Sequence, residues 1–205
     1  MPTRGVVIIA YGEASRREAG LAIESLRRHN ELPVTVIGER VAGTDHMPFE
    51  AIGDGVACSR WAKVNLDRLS PFDETLYLDA DTRPRGDVSA GFEVLESGWD
   101  VAVAPSTNQG GELLWHVGEE ERQETLLAYG CEPLQLQAGV LFLSKGQRTL
   151  ALFEAWRAEW QRYQGQDQAA LLRALLASPA RVWLLGRPWN GGALIDHLFG
   201  NVRRA

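Results

Sequence analysis

Short runs of apolar residues alternate along the chain with segments in which apolar residues recur at helical spacing. Runs typical of buried strands cover residues 5–10, 33–37, 76–78, 99–104, 140–143 and 181–185. Helical spacing predicts a first helix that begins with a capping box at Ser15 and Glu18, and further helices over 61–69, 119–129, 147–164 and 167–177. This alternation predicts an α/β domain with a largely parallel sheet.

Composition and charge exclude several classes of protein. With 205 residues, 45% of them hydrophobic and 23% charged, the chain has the composition of a globular protein with one sizeable core. A net charge of −6 disfavours a nucleic-acid partner. Cys58 and Cys131 are far apart in the sequence, which favours reduced thiols. No apolar run is long enough for a membrane span and no signal peptide precedes the first strand, so we expect a cytoplasmic protein.

The predicted strand at 76–78 ends in two aspartates, Asp79 and Asp81. Residues two apart on a strand share a face, so both carboxylates can point toward one place. Such oxygens suit Mg2+ or Mn2+, and a divalent ion can in turn bind a diphosphate. The same segment continues to Pro84 and Gly86, which favour a solvated turn. The local pattern therefore favours a metal site and a plain turn about equally.

Other chemistries that use these residue types fit the chain poorly. A phosphatase with an aspartate nucleophile also has Asp-x-Asp after an apolar strand, but it needs a second acidic pair to hold Mg2+. The later aspartates of this chain are isolated in the sequence: Asp87, Asp100, Asp167 and Asp196. The turn at 11–15 lacks the Gly-x-Gly-x-x-Gly pattern of dinucleotide-binding enzymes. Both interpretations are therefore disfavoured.

Five stretches, at 11–29, 63–81, 137–141, 166–171 and 197–203, recur in order and spacing in one known family. In these stretches the chain resembles the GT-A nucleotide-sugar glycosyltransferases, specifically bacterial relatives of glycosyltransferase family 8. Residues 38–59 and 105–134 have no counterpart. The resemblance implies a Rossmann-like GT-A fold, with a mostly parallel central sheet flanked by helices. It also implies a single domain over 1–205, in which 1–104 mainly bind nucleotide and metal and 105–205 mainly bind donor sugar and acceptor.

The resemblance implies a metal site and a diphosphate site. Asp79, Asp81 and His197 match the family's ligands of Mn2+ or Mg2+, and the imidazole makes Mn2+ the better occupant. Without the resemblance, the segment around His197 would be interpreted as part of a solvated basic tail. Lys63 and Arg203 match basic positions that face the diphosphate, and the guanidinium of Arg203 offers a bidentate contact.

Further positions match residues around the base and the sugar. Ala10, Tyr11 and Gly12 match the end of the first strand, where the family holds the nucleotide base. Asp167 and Gln168 match an Asp-Gln pair beside the donor sugar. An alternative role for Asp167 is to cap the helix that follows it.

The resemblance implies a metal-dependent enzyme that moves a sugar from a nucleotide diphosphate donor, with UDP favoured, to an acceptor hydroxyl with retention. The family usually has Asn where this chain has Gln137. One alternative is a sugar-phosphate nucleotidyltransferase on a similar fold, disfavoured because residues 11–16 lack the Gly-rich, Arg-containing loop of that class. Another is a nucleotide-sugar binding protein without catalysis, disfavoured because both aspartates and the histidine are retained.

Overall fold

The computed structural model describes residues 1–106 and 114–199. The strands are β1 Arg4–Ala10, β2 Val34–Gly38, β3 Asp45–Met47, β4 Glu74–Leu78, β5 Thr82–Pro84, β6 Val101–Pro105, β7 Leu136–Ser144, β8 Val182–Leu184 and β9 Ile195–His197. The helices are α1 Glu13–Arg27, α2 Gly55–Lys63, α3 Leu66–Leu69, α4 Ser89–Glu96, α5 Glu119–Tyr129, α6 Gln147–Tyr163 and α7 Asp167–Ala177, and Arg187–Trp189 form a 3-10 turn.

Most of the strands form one central sheet, in the order β3-β2-β1-β4-β7-β6-β8. Among these described strands, β7 is antiparallel to its neighbours β4 and β6, and the remaining pairs are parallel. The predicted fold class, a mostly parallel sheet flanked by helices, is therefore confirmed. β5 and β9 form a separate antiparallel pair beside this sheet.

Alternate residues of the central strands pack into two different cores. In β1, Val6 and Ile8 lie in a core shared with α1 and α4, whereas Val7 and Ile9 lie in a core shared with α2, α6 and α7. Because helices cover both faces of the sheet, its central strands are continuous apolar runs without a polar side. These continuous apolar runs explain why the positions of the central strands could be predicted from the sequence.

The predicted start of the first helix is wrong. α1 begins at Glu13, so Ser15 lies inside its first turn instead of at its N-cap. The N-cap residue is Gly12, with a φ of 81° and no side-chain cap. The Gly12 N–H donates instead to Glu39 Oε1 at 2.8 Å, across the turn that follows β2. A contact from outside the helix thus replaces the local capping box.

The helix predicted over 61–69 is also different in the structure. α2 begins at Gly55 and ends at Lys63, and the short α3 follows separately. Asp54 starts α2, since its Oδ1 accepts the backbone N–H groups of Val56 at 3.0 Å and Ala57 at 2.9 Å. The sequence pattern did not predict α4 or the three-residue strands β3, β5 and β9, which are too short for a clear period.

None of the helices in the described part of the chain is both long enough and apolar enough to cross a membrane.

Candidate active site

A cleft of about 1000 Å³ opens where β1, β4 and β6 end and the antiparallel β7 begins. Most of the predicted site residues line it: Tyr11, Lys63, Asp79, Asp81, Asp167, Gln168 and His197. Ala10 is fully buried at the end of β1, and neither it nor Gly12 lines the cleft. Arg203 lies outside the described residues.

The segment after β4 is both a tight turn and an acidic site. The Thr82 N–H and Oγ1 both donate to the Asp79 carbonyl, at 3.1 and 2.8 Å. Arg83 donates to the carbonyls of Ala80 at 3.2 Å and Thr82 at 2.7 Å, and its guanidinium also binds Glu18 of α1. These contacts shape the backbone so that the carboxylates of the turn face the cleft.

Strand pairing brings His197 to this turn. In the β5–β9 pair, His197 lies opposite Thr82, and the Leu198 N–H donates to the Asp81 carbonyl at 3.1 Å. The buried His197 places Nε2 3.1 Å from Asp81 Oδ1 and 3.8 Å from Asp79 Oδ2. One ligand atom from each of the three residues lies within 4.8 Å of the others. Residues far apart in the sequence therefore form one cluster.

The cluster fits a divalent ion on two observations. Two adjacent ligands about 2.1 Å from an octahedral ion lie about 3 Å apart, close to the separation of the His197 and Asp81 atoms. The floor of the cluster is Gly139, where an added Cβ would lie 2.4 Å from His197 Cε1 and 2.6 Å from Asp79 Oδ2. Only a glycine leaves this space open. Two carboxylates with one imidazole form a donor set suited to Mn2+.

Asn190 holds the imidazole of His197 from behind. Its Oδ1 lies 2.7 Å from His197 Nδ1, and Asn190 is only 1% exposed. A carboxamide oxygen only accepts hydrogen bonds, so in the neutral ring Nδ1 carries the proton and Nε2 keeps its lone pair. This is the tautomer that a metal ligand at Nε2 requires. The ring of Phe199 stacks on the same imidazole, with 4.1 Å between centroids.

Lys63 links the acidic cluster to α7. Its Nζ lies 2.9 Å from Asp79 Oδ1 and 3.2 Å from Asp167 Oδ2, and the side chains of Lys63 and Asp167 are both buried. Burial alone would lower the pKa of the Lys63 ammonium, but the two carboxylates outweigh burial and raise it. Burial alone would raise the pKa of Asp167, but Lys63 outweighs it and keeps that pKa below its usual value. Both groups are therefore charged at neutral pH.

Asp79 has a second partner in β4, the strand that precedes it. The buried Tyr77 donates its hydroxyl to Asp79 Oδ1 at 2.5 Å. Burial and then the nearby carboxylate raise the pKa of Tyr77 well above its usual value, so Tyr77 remains a donor. Lys63 and Tyr77 together occupy Oδ1, and Oδ2 faces Gly139 and His197. The two oxygens of Asp79 thus have different partners.

Asp167 is not the cap of α7. The N-cap residue is Gln166, and no side chain caps the helix. Gln166 Oε1 instead accepts a hydrogen bond from Arg60 at 2.8 Å, and both residues line the cleft. Asp167 is the first residue of α7, where its charge also complements the helix dipole. Gln168 follows it at the wall of the cleft.

At the β1 end of the cleft, Tyr11 is half-buried and its hydroxyl donates to the Phe49 carbonyl at 3.2 Å. Burial raises the pKa of Tyr11 to about 12. The first turn of α2, from Asp54 to Val56, faces the same part of the cleft. The sequence analysis did not predict that the start of α2 lines the cleft. Asp54 stands before an apolar helical segment, and this capping signal would have predicted where α2 begins.

Sequence reasoning also missed Asn190, Arg60, Trp115 and His116. Nothing in their local sequence pattern distinguishes them. Arg60 and Asn190 are placed by their contacts with Gln166 and His197, and the turn that carries Trp115 and His116 is anchored by the contact of Leu114 with Gln135.

Comparisons with known proteins agree with this geometry at the level of the fold. No family model matches the chain, and no curated protein matches it by sequence. Among solved structures, the bifunctional glycosyltransferase WbbM matches 92% of this chain with a TM-score of 0.68 at 18% identity. The galactosyltransferase LgtC, solved with donor and acceptor sugar analogs, matches 90% with a TM-score of 0.64 at 14% identity. Mouse xyloside xylosyltransferase 1 matches 92% with a TM-score of 0.60 at 14% identity.

These structures are glycosyltransferases of the GT-A type, so the predicted GT-A fold is confirmed. The match covers 40% of WbbM, 74% of LgtC and 87% of the mouse enzyme. The chain thus spans less than half the length of WbbM. At these identities the likeness shows a shared fold.

Proposed function

We propose that the protein is a metal-dependent glycosyltransferase related to family 8, which moves a sugar from a nucleotide diphosphate donor to an acceptor hydroxyl. UDP is the nucleotide we propose. The observation that carries the proposal is the convergence of Asp79, Asp81 and His197 in the lining of a large cleft on a GT-A fold. Acidic clusters alone are common, but this one has a glycine floor and an oriented imidazole.

In this proposal Asp79, Asp81 and His197 hold Mn2+ or Mg2+ against the diphosphate. When bound, the ion supplies positive charge where the departing diphosphate gains negative charge. Arg203 is proposed to add a bidentate contact to the same phosphates. Lys63 lines the cleft and is proposed to stabilise the diphosphate while it also holds Asp79 and Asp167 in place.

Gln168 and Asp167 are proposed to position the donor sugar. Asp167 is buried and paired with Lys63, which makes it a poor nucleophile. The amide of Gln168 is a weak nucleophile as well. We therefore propose that the acceptor hydroxyl attacks from the face that the diphosphate leaves, with a diphosphate oxygen as base. This route retains the anomeric configuration.

The nucleotide base is proposed to lie beside Tyr11 and the first turn of α2. Tyr11 presents a ring at this end of the cleft, with its hydroxyl already bonded to Phe49. Ala10 and Gly12 do not line the cleft, and they are proposed to contribute by shaping the turn that carries Tyr11.

The products formed without an acceptor test the reaction. Given Mn2+ and a UDP-sugar, the protein is expected to release UDP and free sugar slowly, because water replaces the acceptor hydroxyl, and EDTA is expected to stop the release. Chromatography of the products measures this. Release of sugar 1-phosphate and UMP would indicate the nucleotidyltransferase alternative. Tight binding of UDP-sugar with no turnover would indicate a binding protein.

Removing the Asn190 contact is expected to weaken metal binding. In Asn190→Ala the imidazole loses the acceptor that fixes its tautomer, so Mn2+ affinity should fall about 10- to 100-fold. Titration of Mn2+ monitored by electron paramagnetic resonance measures the affinity without any substrate. Asn190→Asp keeps an oxygen acceptor for Nδ1 and should retain most of the affinity. An equal loss in both variants, or no loss in Asn190→Ala, would contradict this role.

A further inference from the structure

The part of the cleft beside β6 differs from the part beside β1 and β4. Its lining residues are Ser106, which follows β6, Trp115 and His116 further along, and Gln137 at the start of β7. None of these four is a carboxylate, lysine or arginine, whereas the two aspartates of the acidic cluster follow β4. Trp115, His116 and Gln137 each offer a hydrogen-bonding group, and Trp115 also offers a wide apolar ring.

Trp115 is unusually exposed for its residue type. It is 63% accessible, whereas Trp156 and Trp160 are at most 2% accessible. A tryptophan ring on a concave surface loses contact with water when a flat apolar face covers it. Large exposed side chains of this kind are frequent where proteins bind ligands.

A turn that is anchored in the core at both ends holds Trp115 in this exposed position. The residues on either side of the Trp115–His116 pair, Leu114 and Val117, are both buried in the core. The Val117 N–H donates to the Leu114 carbonyl at 2.9 Å, and the Leu114 N–H donates to the buried Gln135 side chain at 3.0 Å. Leu114 has a φ of 54°, a conformation that is strained for a leucine. Two core anchors, one of which has a strained backbone, therefore direct the pair toward the cleft.

His116 supplies a polar group next to the ring. The two rings meet edge to face, with 5.5 Å between centroids and an angle of 72°. His116 Nε2 is buried and has no hydrogen-bond partner among the described groups. Buried polar atoms are normally paired, so an unpaired one in a ligand cleft indicates a partner that arrives with the ligand.

The strand order separates this region from the proposed nucleotide site. Tyr11 follows β1, the two aspartates follow β4, and Trp115 comes after β6, with β7 lying between β4 and β6. Tyr11 therefore lies at the β1 end of the cleft, whereas the turn that carries Trp115 is anchored beside the start of β7 through the bond of Leu114 to Gln135. A donor that extends from Tyr11 to the cluster leaves the Trp115 side for the second substrate.

We propose that Trp115 is the platform for the acceptor of the proposed transfer, and that this acceptor is an uncharged sugar. One face of a sugar ring presents apolar C–H groups that can cover the indole, while its hydroxyls can bond to His116 Nε2 and Gln137. The absence of charged side chains among these four lining residues favours a neutral ring over a sugar acid or a phosphorylated sugar. This inference rests on the proposed function.

The test uses the full-length protein loaded with Mn2+ and UDP, titrated with methyl β-D-galactopyranoside, methyl β-D-glucopyranoside and methyl α-D-mannopyranoside. Saturation-transfer NMR measures the glycoside Kd, and calorimetry measures the UDP Kd. In Trp115→Ala the Kd of a bound glycoside is expected to rise about tenfold or more, as for a buried aromatic anchor, and the UDP Kd to rise less than about twofold. Trp115→Phe keeps a flat ring and should restore most glycoside affinity. Trp183→Ala, which removes another exposed tryptophan outside the cleft lining, should change neither constant.

Three results would overturn the inference. The first is that none of the glycosides binds the loaded wild-type protein. The second is an unchanged glycoside Kd in Trp115→Ala, and the third is a weakened UDP Kd, which would make Trp115 a base platform. Failure of the proposed function is distinguishable, because it appears as missing UDP release from UDP-sugar in wild-type protein without any glycoside.

Discussion

Gly139→Ala is expected to abolish metal-dependent UDP binding. The new Cβ would lie 2.4 Å from His197 Cε1 and 2.6 Å from Asp79 Oδ2, inside the space that the cluster encloses. The imidazole or the carboxylate must then move, and each is a proposed ligand. Because changes in the groups that merely support a ligand cost 10- to 100-fold in metal affinity, displacement of a ligand should cost at least about 100-fold. Calorimetric titration of UDP with and without Mn2+ measures the loss.

A matched control separates this effect from a general effect of the substitution. Gly20 lies inside α1, and a Cβ there would meet no atom within 4 Å. Gly20→Ala should leave Mn2+ and UDP binding unchanged and raise the free energy of unfolding by up to about 1 kcal/mol, since alanine is the better helix former. Asp81→Ala, which removes a proposed ligand directly, should match Gly139→Ala in UDP binding. Normal Mn2+-dependent binding in Gly139→Ala would contradict the cluster as a metal site.

Lys63→Met is expected to lower the free energy of unfolding by about 3–5 kcal/mol, measured at pH 7 in EDTA. The substitution keeps a long side chain but leaves the buried Asp167 and the partly buried Asp79 without their cation. An uncompensated buried charge is costly, and the loss is a large share of the about 5–15 kcal/mol that stabilises a typical domain. Urea unfolding at several pH values measures it.

The pH dependence identifies the cause. In the wild-type protein, the pKa of Asp167 is below its unfolded value, so its contribution to stability is present above that unfolded value and is lost as the pH falls. The pKa of Lys63 is above its unfolded value, so its contribution is present below that value and is lost as the pH rises. Without Lys63, burial dominates and raises the pKa of Asp167. The deficit of Lys63→Met should therefore shrink as the pH falls from 7 toward the ordinary range of an aspartate, because the unpaired Asp167 of the variant becomes protonated on the way while the paired Asp167 of the wild-type protein stays ionised.

Two further variants control for this interpretation. Lys63→Met with Asp167→Asn removes both charges and should recover part of the stability, and the double-mutant cycle gives the coupling. The chain's other lysine, Lys145, is exposed, and Lys145→Met should change stability by no more than about 0.5 kcal/mol. A deficit that is independent of pH, or equal in Lys145→Met, would contradict the pairing of Lys63 with the two carboxylates.

The sequence predicted the elements whose pattern is local and long. The apolar runs of β1, β4 and β7 and the helical spacing of α6 and α7 are each visible within one element, because the covering helices and the sheet require those side chains there. Because the apolar run of β4 could be recognised, the sequence also predicted that Asp79 stands at the end of a strand. The strands β3, β5 and β9 were missed because three residues show too little alternation, and the eight-residue helix α4 was missed although its buried Phe92 and Leu95 have helical spacing.

Several features of the candidate site depended on contacts between different elements of the fold. The resemblance named His197, but only the pairing of β9 with β5 brings it to the turn after β4. The antiparallel direction of β7, the contact of Asn190 with His197 and the pairing of Lys63 with Asp167 have no local signal.

The sequence by itself thus determined the α/β class, the order of the main elements and the place of the acidic pair. Tertiary structure decided that Oδ1 of Asp79 is held by Lys63 and Tyr77 and that Oδ2 faces the space above Gly139. It also decided that Trp115 lies in the cleft. The physical reason is that periodicity reports whether a side chain is buried within its own element, whereas partner choice depends on packing and hydrogen bonds between elements that meet only in the folded chain.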